Sequence, residues 1–297
     1  MVKTNIIGYI HICQEYNWKK SFNLLLESIK KSKLYEASDE IRLGIVNNKG
    51  VYIDDEKFHD SKFKVINNGF SHQYERPTLL HMRKYSEIDD TNTIYWYLHT
   101  KGITHFGTPK ENNVLDWIKL MLYWNIELWE FAVKKLKNNY DTYGCNAIHT
   151  QHYSGNFWWA TSKHIKTLPK YIKDYYTAPE DWVCVTKNKM YNVYSSGLEG
   201  NGHYKNLYPA SNYRLPNNFN IDAYRLLNKD LERMDDKQCI KHYLTYGKNE
   251  NRLYKIPDDF NTDAYRLLNK DLENMDDKQC ITHYLTYGKN ENRSYKF

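Results

Sequence analysis

The chain has 297 residues, with 42 Lys and Arg against 36 Asp and Glu, and 41% of its residues are apolar and 15% aromatic. This length suits one large domain and a small one, and 28 Tyr, 10 Phe and 8 Trp carry too much apolar surface for a disordered chain. No apolar run approaches 18 residues, the N-terminus lacks a signal peptide, and five isolated cysteines indicate reduced thiols, so we expect a soluble cytoplasmic protein without a membrane span.

Apolar strands alternate with helices along the first part of the chain. An Ile-rich strand over 5–13 precedes a helical pattern through Phe22 and Ile29. Further strands are predicted at 40–46, 63–66 and 93–99, with a helix at 78–86. The alternation predicts an α/β domain with a mainly parallel sheet, in which ligands bind beyond the carboxyl ends of the strands.

A longer apolar pattern follows these elements. One amphipathic helix that faces the core is predicted by the spacing of Trp117, Leu120, Met121, Trp124, Leu128 and Phe131. Lys119, Glu127 and Glu130 exclude a membrane helix there.

The C-terminal part consists of a duplicated segment. Residues 219–255 and 260–296 align at an offset of 41 without a gap and are identical at 33 of 37 positions. Each copy predicts two short helices, ended by a glycine. We therefore expect a domain over 1–214 and a small all-α repeat region over 215–297, which packs on the larger domain, a partner enzyme or a second copy of the chain.

The net charge of +6 belongs entirely to the larger domain, because residues 217–297 carry 14 basic and 14 acidic side chains. This modest excess suits a small anionic ligand such as a nucleotide diphosphate. A dense basic stripe is missing, so nucleic-acid binding is the weaker interpretation.

Two polar segments follow predicted strands. His11 ends the first strand, where it either contacts a nucleotide or is a hydrogen-bonded core histidine. Tyr97-Leu-His-Thr-Lys-Gly102 ends the most apolar strand, and its Lys, Thr and Gly either bind a diphosphate or form a solvated turn.

Two later segments suggest sugar chemistry. His152-Tyr-Ser-Gly-Asn-Phe-Trp-Trp-Ala160 combines aromatic rings with amide and hydroxyl groups, as sugar sites do, although core packing also explains the tryptophans. Glu180 and Asp181 begin a predicted helix, where they either complement its dipole or supply a base for an acceptor hydroxyl. His203 and Lys205 are further candidates for a metal or a diphosphate, with loop decoration as the simpler alternative.

Taken in order, these segments resemble a family of glycosyltransferases of large DNA viruses and bacteria with a GT-A type fold. The resemblance covers residues 5 to about 205 and rests on Tyr9-Ile-His11, Tyr74-Glu75-Arg-Pro77, His99-Thr-Lys-Gly102, Ser154-Gly-Asn-Phe-Trp-Trp159 and Glu180-Asp-Trp182. The C-terminal repeats are similar to a unit often appended to glycosyltransferases.

The resemblance implies transfer of a hexosyl or deoxyhexosyl group from a nucleotide sugar, a UDP sugar in the first instance, to a glycan hydroxyl of a viral or cell-surface glycan. By position, His11 and Asn47 would face the nucleotide, and Glu75, Thr78, His99, Thr100 and Lys101 would line the diphosphate and donor sugar. Ser154, Asn156, Trp158 and Trp159 would shape the sugar pocket, with Glu180 as the candidate base. An inverting reaction is the first expectation, and retention of configuration is the open alternative.

The chain departs from the GT-A pattern at the metal site. Many GT-A enzymes bind Mn²⁺ or Mg²⁺ through an Asp-x-Asp at the end of the fourth strand, where this chain has His99-Thr-Lys101. Metal dependence is thus left open, and Lys101 is a candidate to replace part of the metal's role. The alternative function is a non-catalytic nucleotide-sugar or carbohydrate-binding protein with the same fold.

Overall fold

The structure is a computed structural model that describes residues 4–148, 152–198, 201–257 and 259–296. The chain divides into two compact units, Met1–Ala210 and Ser211–Phe297. Among the described residues, no helix is long and apolar enough to cross a membrane.

The first unit is an α/β domain built on a seven-stranded sheet in the order β3-β2-β1-β4-β8-β5-β9. Strands β1 to β4 are mutually parallel, β8 runs antiparallel to β4 and β5, and β9 is parallel to β5. The mainly parallel sheet that the alternation predicts is therefore confirmed. The strands are β1 Ile6–Cys13, β2 Glu40–Asn47, β3 Phe63–Phe70, β4 Ile94–His99, β5 Thr142–Gly144, β6 Ala147–Ile148, β7 His152–Tyr153, β8 Trp158–Thr161 and β9 Met190–Asn192, of which β6 and β7 form a separate pair.

Helices cover this sheet, and short 3₁₀ turns lie between several of the elements. Those of the first unit are α1 Trp18–Lys31, α2 Leu34–Ala37, α3 Arg76–Tyr85, α4 Glu111–Leu122, α5 Trp129–Lys137, α6 Ser162–Ile165, α7 Ala178–Asp181 and α8 Gly202–Lys205. In α1, the apolar residues spaced three and four apart, among them Phe22, Leu25 and Ile29, are all buried.

The single helix predicted across 117–131 is wrong, because α4 ends at Leu122 and a π-helical turn, Tyr123–Glu127, separates it from α5. Buried side chains bond to the backbone of this turn: the Tyr143 hydroxyl donates to the Trp124 carbonyl at 3.0 Å, and the Trp159 indole donates to the Asn125 carbonyl at 2.7 Å. These partners satisfy carbonyl groups of the turn and hold the chain in that conformation.

The second unit consists of helical turns from the two copies of the repeat. They are α9 Ile221–Leu227 and α10 Asp236–His242 in the first copy, and α11 Thr262–Leu268 and α12 Asp277–His283 in the second. Within each copy a tyrosine hydroxyl meets a histidine Nδ1, Tyr224 with His242 at 2.8 Å and Tyr265 with His283 at 2.9 Å. Ala223 of the first copy packs into the apolar cluster of the second, so the two copies share a core.

Candidate functional site

A cleft with a volume of about 610 Å³ opens at the carboxyl ends of β1, β2, β3 and β4. The ends of parallel strands meet there, which is the usual ligand position in such sheets. Its walls are formed by His11, Cys13, Glu15, Tyr16, Val46, Asn48, Ser71, His72, Tyr74, Glu75, His99, Thr100, Lys101, Gly102, Ile103, Thr104, His105, Tyr176, Glu180 and Tyr204. All of these residues belong to the first unit.

His11 forms part of the cleft wall and is held in place by hydrogen bonds through Nδ1 and its backbone. Its Nδ1 lies 2.8 Å from the Thr78 hydroxyl, and its carbonyl accepts the Thr100 amide at 2.9 Å. The Thr100 hydroxyl in turn accepts the Cys13 amide at 3.0 Å. Burial lowers the pKa of His11 to about 3, so the imidazole is neutral at physiological pH.

Lys101 brings a positive charge into the cleft. Its carbonyl accepts the Ser21 hydroxyl at 2.9 Å, and its ammonium lies 4.1 Å from the centre of the Trp117 ring. Only 7% of the residue is exposed, and this burial lowers its pKa. No described oxygen lies within hydrogen-bonding distance of this ammonium.

Gly102 shapes the turn that presents Lys101. Its φ of +79° lies in the left-handed region, and a Cβ there would collide with a methyl group of Val114. A glycine directly after the lysine is therefore required by the backbone and by the contact with α4.

Glu75 and Glu180 bring carboxylates to the same cleft from α3 and α7. Glu75 precedes α3 as its N-cap residue, and burial followed by the negative charge of Glu180 raises its pKa. The positive charge of Lys101 acts in the opposite direction on Glu75, and both carboxylates act on Lys101. The three groups are therefore coupled electrostatically.

His99 lies beside Glu75 at the end of β4. Its Nε2 is 3.0 Å from the Gly155 carbonyl, and its Nδ1 is 3.6 Å from Glu75 Oε1. Burial lowers the pKa of His99 well below its ordinary value. The segment Ser154-Gly-Asn156 therefore contributes to the site through the Gly155 carbonyl, which contacts His99.

Tyrosines form the rim of the cleft. Tyr74 and Tyr176 meet edge to face with ring centres 5.1 Å apart, and Tyr204 packs edge-on against Trp117. Tyr16 and Tyr74 have φ values of +50° and +51°. Positive φ at a bulky residue is strained, and such strain concentrates at functional sites.

The predicted sugar-binding residues do not line the cleft. Trp158 is 1% exposed and stacks on Tyr97 with ring centres 4.9 Å apart, and Trp159 is fully buried beneath the π-helical turn. Asn156 is also buried, with a φ of +57°, and accepts the Trp158 indole N–H at 2.8 Å. Ser154 is 7% exposed. Trp158 and Trp159 fill the core because β8 lies between β4 and β5, and Ser154 and Asn156 are buried in the segment that leads into β8.

Two other predicted residues turn away from the cleft. Asp181 is 3.1 Å from His152 Nδ1 and accepts the Tyr175 hydroxyl at 3.1 Å, whereas Glu180, its neighbour, lines the cleft. Asn47 is buried and donates to the Val51 carbonyl at 2.7 Å, so it organises the loop after β2.

His203 and Lys205 also lie outside the cleft wall. His203 stacks on Trp117 with ring centres 5.1 Å apart and lies 2.9 Å from the Ser196 hydroxyl, and burial lowers its pKa to about 4. Lys205 is exposed on α8. Within the described part of the chain, no group of three or more His, Cys, Asp or Glu is placed to hold a metal ion.

Of the residues predicted for the site, the structure brings His11, Glu75, His99, Thr100, Lys101 and Glu180 together, with Thr78 in support. Sequence reasoning missed the rim residues, including Glu15, Tyr16, Tyr74, His105 and Tyr176. Glu15 and Tyr16 follow β1, Tyr74 follows β3 and His105 follows β4. Those positions were the available signal, since residues that follow parallel strands reach the same edge of the sheet, whereas Tyr176 lies before α7 and had no such signal.

This cleft can bind an anion through Lys101 and accept a proton through a carboxylate. Comparison with known proteins assigns no family: a scan against protein-family models finds no match, and a search of curated proteins finds none.

Proposed function

We propose that the chain is a glycosyltransferase with a GT-A type fold that moves a sugar from a nucleotide sugar to a hydroxyl of a glycan. The mainly parallel sheet, with its cleft at the carboxyl edge of the strands, is compatible with that fold. A UDP sugar is the proposed donor, on the resemblance of the sequence motifs.

The ammonium of Lys101 is the observation that carries the proposal. The residue is 7% exposed, and among the described residues its ammonium contacts the Trp117 ring but forms no ion pair with a carboxylate, so its charge is available to an anion. A diphosphate supplies several anionic oxygens, which a point charge of this kind binds well. Lys101 thus occupies the place where negative charge grows as the nucleotide diphosphate leaves.

Glu180 is the proposed general base of the reaction. The acceptor oxygen forms a bond to the anomeric carbon while the bond from that carbon to the diphosphate breaks, and its electron pair stays with the diphosphate. The acceptor proton passes to the Glu180 carboxylate. Attack from the side opposite the leaving group inverts the configuration of the sugar.

Donor binding tests the proposal directly. The purified chain is screened by thermal shift and by sugar release against UDP, GDP, dTDP and CMP sugars, each with EDTA or Mn²⁺. Stabilisation and slow release with one donor are expected, and the two metal conditions show whether a cation takes part. Binding without release or transfer to any acceptor would instead favour the non-catalytic binding protein.

Substitution of Glu180, with its neighbour Asp181 as the control, tests the assignment of the general base. Glu180→Gln is expected to reduce transfer by about 10²- to 10⁴-fold while donor affinity is kept, because a general base is lost. Asp181→Asn removes a charge one residue away that faces His152 and Tyr175, so transfer should stay within about threefold of the unsubstituted chain, well short of a lost base. Equal losses in the two variants would contradict the role of Glu180.

A further inference from the structure

We propose that Glu75 and His99 together hold one proton at neutral pH, so that this pair is electrically neutral when an anionic diphosphate enters the cleft. The inference rests on the proposed function, because the diphosphate is the ligand of that function. It explains how a cleft lined by Glu15, Glu75 and Glu180 accepts an anion beside a single lysine, because the pair removes one of the three negative charges.

The hydrogen bond on one side of His99 determines what the other side can do. The Gly155 carbonyl only accepts hydrogen bonds, so Nε2, which lies 3.0 Å away, carries a hydrogen. A neutral imidazole in this tautomer presents the lone pair of Nδ1. That atom faces Glu75 Oε1 at 3.6 Å.

Two acceptors would face each other if Glu75 were ionised and His99 neutral. Their lone pairs repel, and no hydrogen lies between them to offset the repulsion. One proton on either atom makes the contact attractive, since it provides a donor for the other group. The pair is then neutral as a whole, whichever atom carries the proton, and it titrates as a unit.

Burial acts on both groups in the direction that keeps this proton. Both side chains are 13% exposed. Burial raises the pKa of Glu75 and lowers the pKa of His99, so a carboxylic acid beside a neutral imidazole is favoured over two charged groups.

The charged groups around Glu75 and His99 have opposite effects on the ionisation of Glu75. Lys101 at the end of β4 and Arg76 on α3 favour an ionised Glu75, and Glu180 on α7 disfavours it. Cys13 on β1, Tyr97 on β4 and Tyr176 before α7 also interact with Glu75, and His11 on β1 interacts with His99. Burial keeps these four groups in their neutral forms.

An anion bound at Lys101 would cancel the strongest nearby positive charge and favour the protonated pair further. By reciprocity, loss of the proton must weaken binding of the anion. Anion affinity should therefore fall as the pH rises and the pair ionises.

The proton can be measured without any activity. Carbon-13 NMR of the chain labelled at glutamate carboxyl groups should show one resonance at the protonated position at pH 7, absent in Glu75→Gln. Nitrogen-15 spectra of the unsubstituted chain should show His99 in the Nε2–H form from pH 6 to pH 8. A Glu75 carboxyl that ionises below pH 5, together with an ordinary titration of His99 near 6.5, would overturn the proposal.

UDP binding provides the functional arm. Between pH 7 and 9 the affinity of the unsubstituted chain should fall by about fivefold or more, the usual scale of coupling between sites. In Glu75→Gln an amide that cannot ionise replaces the carboxyl group beside His99 Nδ1, so only the loss of affinity caused by deprotonation of Lys101 should remain.

A control variant distinguishes the effect of the Glu75 and His99 pair from the general effect of removing one negative charge. Glu87→Gln alters a carboxylate that pairs with Arg83 outside the cleft, and its affinity should follow the unsubstituted chain at each pH. Identical pH dependence in Glu75→Gln and the unsubstituted chain would contradict the coupling. If no nucleotide binds, the proposed function fails, while the NMR measurement still decides the state of the pair.

Discussion

At the scale of single residues, Lys101 makes the sharpest prediction. Lys101→Met keeps most of the side-chain volume over Trp117 but removes the ammonium. UDP affinity should fall by about tenfold or more, since a charge-assisted hydrogen bond contributes about 1.5–3 kcal/mol. Thermal stability should change little, because removal of a largely buried charge is offset by loss of the contact between the ammonium and the Trp117 ring. Isothermal titration and thermal unfolding measure the two effects.

Lys205→Met is the matched control for this prediction. Lys205 was also a candidate for the diphosphate, yet it is exposed on α8 and does not line the cleft. Its removal should leave UDP affinity unchanged. If both substitutions weakened binding equally, the position of the diphosphate beside Lys101 would be wrong.

His11 predicts an acid-sensitive fold. Its pKa of about 3 in the folded state lies below the unfolded value near 6.5, so the unfolded chain binds more protons between these values. Stability is therefore lost as the pH falls through this window, by up to about 1.4 kcal/mol per pH unit from this residue. Urea unfolding at a series of pH values should show that the free energy of unfolding changes less steeply with pH in His11→Gln than in the unsubstituted chain. An unchanged slope would mean that His11 titrates normally.

At the scale of elements, the packing of α3 on β2 positions Thr78 and hence His11. A Cβ at Gly44 would clash with the hydroxyl, Cβ and methyl group of Thr78. Gly44→Ala should destabilise the fold by about 1–3 kcal/mol, as overpacking of a core does, and should disturb the contact with His11. Urea unfolding provides the measurement.

A double-mutant cycle checks the cause of this loss. Thr78→Ala removes two of the three clashing atoms, so the double variant should lose less stability than the sum of the single variants. Simple additivity would show that the strain lies elsewhere.

Local sequence patterns predict the strands themselves better than they predict which strands pair in the sheet. The apolar run before Cys13 and the run before His99 each predicted a strand, and parallel pairing places both ends at one edge of the sheet. The pairing of Trp159 with Trp96 across antiparallel strands depends on contacts far apart in the sequence. No local pattern contains that register, so the sequence leaves a sugar site and the core as alternatives for the tryptophans.

The rim residues of the cleft were missed for a similar reason. Tyr74 has a positive φ that its residue type disfavours, so nothing in its local sequence indicates the turn that carries it to the cleft. Glu180 and Asp181 are adjacent carboxylates, and only the resemblance favours Glu180 as the base. Only the direction of the short helix α7 distinguishes the one that lines the cleft from the one that faces His152.

At the scale of the whole molecule, the site and the repeats separate along the chain. Every residue that lines the cleft lies within Met1–Ala210, and the repeats have their own buried cluster of Tyr265, Leu272 and Tyr284. A chain that ends at Arg214 should therefore fold and bind UDP within about threefold of the full chain, a difference of about 0.7 kcal/mol at most. Circular dichroism and isothermal titration test the two statements.

Substitutions in the intact chain provide a second route to the same question. A Cβ at Gly247 would clash with the Tyr224 hydroxyl, and one at Gly288 would clash with the Tyr265 hydroxyl, so each alanine should loosen its own copy of the repeat. UDP affinity should be unchanged in both variants while their thermal unfolding begins earlier. A folded truncation that no longer binds UDP, or weaker binding in both glycine variants, would mean that the nucleotide site depends on the repeats. Retained binding with lost transfer to a glycan would instead assign the repeats to the acceptor.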